Sequence, residues 1–96
     1  MRDASQFPRF SAAEMASRHT RVNALMAAQG LDAMLFYGTG QFSTDVYWLT
    51  DWPGGREGYV LFQAGAEPLV IVQLYNHVPM ARVLSVIEDV RWAGAN

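Results

Sequence analysis

The 96 residues suffice for one domain and are too few for two. Hydrophobic residues make up 51% and charged residues 17%, a balance that fits a globular core and argues against disorder. With no cysteine, disulfides, zinc–thiolate sites, iron–sulfur clusters and thiol nucleophiles are excluded. The net charge of −2, with seven scattered arginines as the only basic residues, leaves no basic stripe for a nucleic-acid backbone.

Ser11-Ala12-Ala13-Glu14 forms a capping box. It predicts a helix that runs to Gln29 and stops at Gly30, a residue suited to the left-handed turn after a helix. Met15, Val22, Leu25 and Met26 fall near one face, with Arg18 and His19 beside them. Residues 31–37 are short and apolar, and read as a strand buried on both faces. Gly38-Thr39-Gly40-Gln41 reads as a turn.

Val46-Tyr47-Trp48-Leu49 is aromatic and branched, and predicts a second strand. Residues 51–58 are rich in turn formers. Residues 59–62 and 69–74 predict two more strands, joined by a hairpin-like connection over 64–68. Asn76 is placed to cap a second helix with Pro79 in its first turn. Residues 87–92 alternate and predict a fifth strand. The expected order is α-β-β-β-β-α-β: an α/β fold with a mixed sheet flanked by helices, antiparallel where turns are short and parallel across the helix. Such a sheet needs cover on both faces, and no second covering helix remains in these residues, which points to a piece of a longer protein.

The polar amino terminus lacks the apolar segment of a secretory signal, and no apolar run approaches the ~20 residues of a membrane span. A reducing cytoplasm is the simplest expectation, with neither membrane nor nucleic acid as partner. His19 reads as a packing residue of the helix. His77, at a helix start, is a candidate substrate contact. The two histidines lack ligand-like partners at fixed spacing, so no metal site is expected from this chain. No catalytic motif is present: no nucleophile elbow, phosphate loop or dinucleotide fingerprint. The segment Trp52-Pro53-Gly54-Gly55-Arg56-Glu57-Gly58-Tyr59 is the most suggestive. Arg56 is suited to holding a carboxylate, and an aromatic beside an arginine typifies interface anchors.

In series, five segments resemble the amino-terminal domain of the creatinase / aminopeptidase P / prolidase family, the pita-bread metallopeptidases. These are the opening helix running into Gly30-Leu31-Asp32-Ala33-Met34-Leu35; Tyr47-Trp48-Leu49-Thr50-Asp51-Trp52, similar to the family's Tyr-Leu-Thr-Gly-aromatic signature; Gly58-Tyr59-Val60-Leu61-Phe62; Glu67-Pro68-Leu69-Val70-Ile71-Val72; and Asn76-His77 through Ala81-Arg82 to Asp89-Val90-Arg91-Trp92. The resemblance implies a ribonuclease H-like creatinase amino-terminal domain over residues 1–96, with 1–10 as an extended arm. It implies that catalysis resides in a carboxy-terminal pita-bread domain beyond Asn96, with a dinuclear divalent metal (Mn, Co or Zn) held there and none here. A homodimer and a peptide substrate are implied for the parent. In creatinase-like members an aromatic-Gly-Arg sequence in the loop before the third strand reaches the partner subunit's substrate. Here the Arg matches as Arg56 and the aromatic does not, so Trp52 is the candidate substitute. The rivals are a protein-binding module from a catalytically inactive relative and a creatinase-like non-peptidase hydrolase.

Overall fold

The computed structural model describes residues 9–40, 44–53 and 57–94. Helix α1 spans Ala12–Gln29. It starts where the capping box places it: the Ser11 hydroxyl accepts from the Glu14 N–H at 3.1 Å. The Glu14 carboxylate is engaged instead by Arg18, at 2.8 Å, and Arg21, at 3.6 Å. The helix ends on Gly30 at φ 67°, whose N–H returns to the last turn. A Cβ at Gly30 would meet nothing within 4 Å, so the cost of Gly30→Ala is backbone strain alone. That substitution is expected to lower stability by about 1 kcal/mol in urea titration, with an unchanged denaturant slope.

Among the described residues four strands follow, not five: β1 Ala33–Thr39, β2 Glu57–Gln63, β3 Leu69–Val72 and β4 Val90–Trp92. They form one mixed sheet in the order β1-β2-β3-β4. The first two pairings are antiparallel; β3 and β4, joined through a helix, are parallel. The α/β class, with a mixed sheet and flanking helices, is as the sequence predicts.

Residues 46–49 form part of a helix, correcting the strand expected there. Helix α2 spans Thr44–Thr50. Val46, Leu49 and Thr50 stand at helical spacing and are all buried, so one tertiary face outweighs the β propensity of Val, Tyr and Trp. The Thr50 hydroxyl bonds back to the Val46 carbonyl at 2.7 Å, and the Asp51 N–H to the Tyr47 carbonyl at 2.8 Å. Asp51 then turns the chain at φ 63°.

A second correction concerns β1. Among the described residues it is an edge strand, and only one of its faces is turned to the core. Leu35 is 60% exposed and Tyr37 48%. A third concerns Asn76, which lies within a 3-10 turn, Tyr75–His77, and not at a cap. Helix α3, Val78–Leu84, starts after His77, with Pro79 in its first turn as expected.

One core holds these elements together. Val22 and Met26 of α1, Val46 and Leu49 of α2, and Val78, Ala81 and Leu84 of α3 bury against Val60, Phe62, Val70, Val72 and Val90 of the sheet. Each fully buried large side chain contributes about 1.5–3 kcal/mol. The opposite face carries Leu35, Tyr37, Tyr59, Leu61, Leu69 and Ile71, and none of these is buried. The uncovered apolar face expected from the sequence is therefore present among the described residues.

Candidate functional site

Two arginines fasten the helical layer. Arg18 is 7% exposed. It donates to the Trp48 carbonyl at 2.9 Å, and its guanidinium lies 4.1 Å from the Phe10 ring centre and 5.0 Å from that of Trp48. Arg9 pairs with the fully buried Asp51, Nε to Oδ2 at 3.2 Å, and donates to the Asp51 and Leu84 carbonyls at the ends of α2 and α3. The Phe10 N–H also donates to Asp51 Oδ2, at 3.2 Å. Residues 9 and 10 are thus tied to the helices; the rest of the expected arm, 1–8, lies outside the described residues. His19 donates from Nε2 to the Leu49 carbonyl at 2.7 Å and meets Phe62 edge-on, the packing role read from the sequence.

The candidate loop opens at Trp52 and closes at Glu57. Trp52 is 3% exposed and belongs to the core. Its N–H donates to the Thr50 hydroxyl at 2.9 Å, and its ring lies 3.5 Å from where a Gly58 side chain would begin. The sequence expectation of an exposed aromatic therefore meets a buried one: Trp52 anchors the root of the loop. Arg56 lies outside the described residues, as do Gly54 and Gly55.

The strand register places Glu57, where the loop closes, among other groups. Glu57 opens β2, and across the sheet the same end holds Thr39, the close of β3 and the close of β4. Gln73, just past β3, accepts from the Glu57 N–H at 3.3 Å through its side chain and donates its own N–H to the Glu57 carbonyl at 3.2 Å. Its carbonyl accepts from Trp92 Nε1 at 3.1 Å. Trp92 and Tyr75 meet edge to face at 5.2 Å, and both are well exposed. His77, half-buried, follows in the 3-10 turn and makes no capping hydrogen bond. On the open face Tyr37 lies against Tyr59 at 5.1 Å, and its hydroxyl donates to Glu57 at 3.3 Å. Desolvation on that face, then the Glu57 carboxylate, pushes the Tyr37 phenol above its usual pKa.

This end of the sheet thus brings together Glu57, Gln73, Tyr75 and Trp92, beside the turn that carries His77. Sequence reasoning missed Gln73, Tyr75 and Trp92. The signal was the strand ends themselves: residues just past β3 and at the end of β4 must share an edge once those strands pair in parallel. The group offers aromatic surface and hydrogen bonds, which suits binding. Among the described residues no three histidine or acidic side chains cluster to hold a metal. The donor set does not fit the dinuclear centre that the resemblance implies elsewhere. No helix among the described residues is long and apolar enough to cross a membrane.

The fold defines the class: a small α/β domain with a mixed four-stranded sheet and its helices gathered on one face. It is similar to the crystal structure of an Xaa-Pro aminopeptidase from Streptococcus pyogenes, with a TM-score of 0.71 and 21% identity over 88% of this chain. The chain spans 60% of that structure's chain, and at this identity the likeness is one of fold. No protein-family model matches the sequence, and a search of curated proteins gave no match.

Proposed function

We propose that this chain is a non-catalytic amino-terminal domain of a metal-dependent Xaa-Pro peptidase-type hydrolase, gating substrate and contributing to a dimer. The observation that carries the reading is the fold shared with an Xaa-Pro aminopeptidase. The series of sequence motifs supports it, as does an apolar sheet face with no buried residue, of the kind a larger protein covers. In this reading Arg56 contacts a substrate carboxylate or the partner subunit. Trp52 holds the loop root that presents it, and His77 flanks the same sheet end. The dinuclear metal and the carboxy-terminal pita-bread domain belong to the parent, and the compartment is cytoplasmic.

The test is kinetic and uses the full-length protein. Arg56→Ala is expected to lower kcat/KM about 10- to 100-fold, the loss of one charge-assisted hydrogen bond, with metal content and melting temperature nearly unchanged. Unaltered kinetics would remove the gating role. Residues 1–96 alone are expected to hydrolyse no Xaa-Pro peptide with any added divalent metal. The second reading, a protein-binding module from an inactive relative, draws on the exposed Tyr75 and Trp92. The coding sequence beyond Asn96 separates the two: two Asp, one His and two Glu in the family's order support the hydrolase, and their loss supports the binder.

A further inference from the structure

Between α1, α2 and β1 lies a crevice of about 250 Å³. Its apolar lining is Val22 and Leu25 of α1, Trp48 and Leu49 of α2, and Phe36 of β1. Val22 and Leu49 are buried, Phe36 and Trp48 are partly buried against the same core, and Leu25 is 46% exposed. Core residues thus form the floor, and the mouth is open beside Leu25. Pockets for small molecules begin at about 300 Å³, so this space suits one compact molecule and not a length of peptide.

Two unlike charges line the same crevice, Arg21 and Asp45. The Arg21 side chain is 60% exposed, and its guanidinium lies 5.0 Å from the Trp48 ring centre. Its carboxylate neighbour, Glu14, stands at 3.6 Å, too far for a good hydrogen bond, and already accepts from Arg18 at 2.8 Å. Among the described residues the Arg21 guanidinium therefore makes no hydrogen bond, and its donors are available. Asp45, exposed in the first turn of α2, makes neither a hydrogen bond nor an ion pair among them. The two also do not pair with each other, although they border one space. Unlike charges held apart over an apolar floor present matching ends to a ligand that carries both signs.

We infer that this crevice binds a free apolar α-amino acid of about the size of leucine. The ligand carboxylate meets the Arg21 fork, the ammonium meets Asp45, and the side chain enters among Leu25, Phe36 and Trp48. Charge complementarity selects this occupant over its neighbours. A peptide carboxy terminus or a fatty acid brings no ammonium and leaves Asp45 unmatched. An alkylamine leaves Arg21 unmatched, and a hydrocarbon leaves both. The stacking of Arg21 on Trp48 also restrains the guanidinium before the ligand arrives, which lowers the ordering cost of binding. None of these residues belongs to the loop of Arg56 or to the sheet end with Gln73, Tyr75 and Trp92. The inference therefore goes beyond the peptidase reading and does not rest on it.

Titration of the isotope-labelled chain with L-leucine, followed by NMR, tests it. Saturable shifts are expected at the Trp48 indole, the Phe36 ring and the Leu25 methyls, with a dissociation constant on the order of 1 mM, the scale for so small a ligand at an open site. Three analogues dissect the match: 4-methylpentanoate lacks the ammonium, isopentylamine the carboxylate and glycine the side chain. Each is expected to bind at least about tenfold more weakly. Asp45→Asn is expected to abolish the preference for leucine over 4-methylpentanoate, and Arg21→Gln the preference for leucine over isopentylamine. Both positions are exposed, so both variants are expected to keep the melting temperature. Arg21→Lys, which keeps the charge and loses the fork, is expected to fall between Arg21→Gln and the starting protein. The absence of saturable shifts up to tens of millimolar overturns the inference. So do analogues that bind as well as leucine, shifts confined to the open sheet face, or variants that leave the preferences unchanged. None of these outcomes alters the Arg56 kinetics, which judge the gating role separately.

Discussion

Asp51→Ala is expected to lower the unfolding free energy by about 3–5 kcal/mol, the range for breaking one side of a buried ion pair. Asp51 is fully buried, and its partner Arg9 has a side chain only 8% exposed. Removing the carboxylate strands a guanidinium among the carbonyls of Asp51 and Leu84 and deprives the Phe10 N–H of its acceptor. A backbone cost adds to this, because position 51 lies at φ 63°, where aspartate is tolerated better than alanine. In a domain of this size 3 kcal/mol corresponds to about 12–24 °C in melting temperature. Asp51→Gly separates the two contributions. It also loses the charge but favours the left-handed conformation, so it is expected to retain about 1 kcal/mol more than the alanine variant. Thermal melts of the two variants check both the total and the difference. Equal melting points would mean that the backbone at 51 relaxes. A loss below about 1 kcal/mol in Asp51→Ala would mean that Arg9 finds other partners.

The same residue connects sequence to fold. In Leu49-Thr50-Asp51-Trp52, aspartate stands where the resembling signature has glycine, and the observed φ is one that glycine adopts freely. The departure from the signature is thus conformationally compatible, and Arg9 supplies the buried carboxylate with a partner. Nothing in the sequence pairs residue 9 with residue 51: the two are brought together only because α2 and α3 end at the same place.

Local signals were read well where they act locally. Ser11, Glu14 and Gly30 bound α1 within its own sequence, and the hairpin over 64–68 needs only its turn residues. The misreadings arise where distant contacts decide. Val46-Tyr47-Trp48-Leu49 has the composition of a strand, yet seven residues suffice for a helix when Val46, Leu49 and Thr50 share a face against the core. β1 has the composition of a doubly buried strand, yet its position at the edge follows from the pairing order, which apolar runs do not encode. The candidate site was legible only in part, because Gln73, Tyr75 and Trp92 are marked by no motif and meet through strand register.

Trp52→Ala is expected to cost about 3–5 kcal/mol, the usual price of emptying a large aromatic site in a core. The indole lies over Gly58 of β2 and is grouped with Val46 and Leu49 of α2, so it ties the end of that helix to the start of the strand that carries the loop. Trp52→Phe keeps most of the volume and should cost less than about 1.5 kcal/mol. The pair of variants distinguishes support from contact. If Trp52 acts as an anchor, Trp52→Phe in the full-length protein leaves kcat/KM near its starting value. In that case Trp52→Ala lowers stability first, and any kinetic change follows from the displaced loop. If the indole itself reaches a substrate, Trp52→Phe lowers kcat/KM while the melting point stays high. The 3% exposure of the side chain favours the first outcome. In the proposed reading, direct contact from that loop then falls to Arg56.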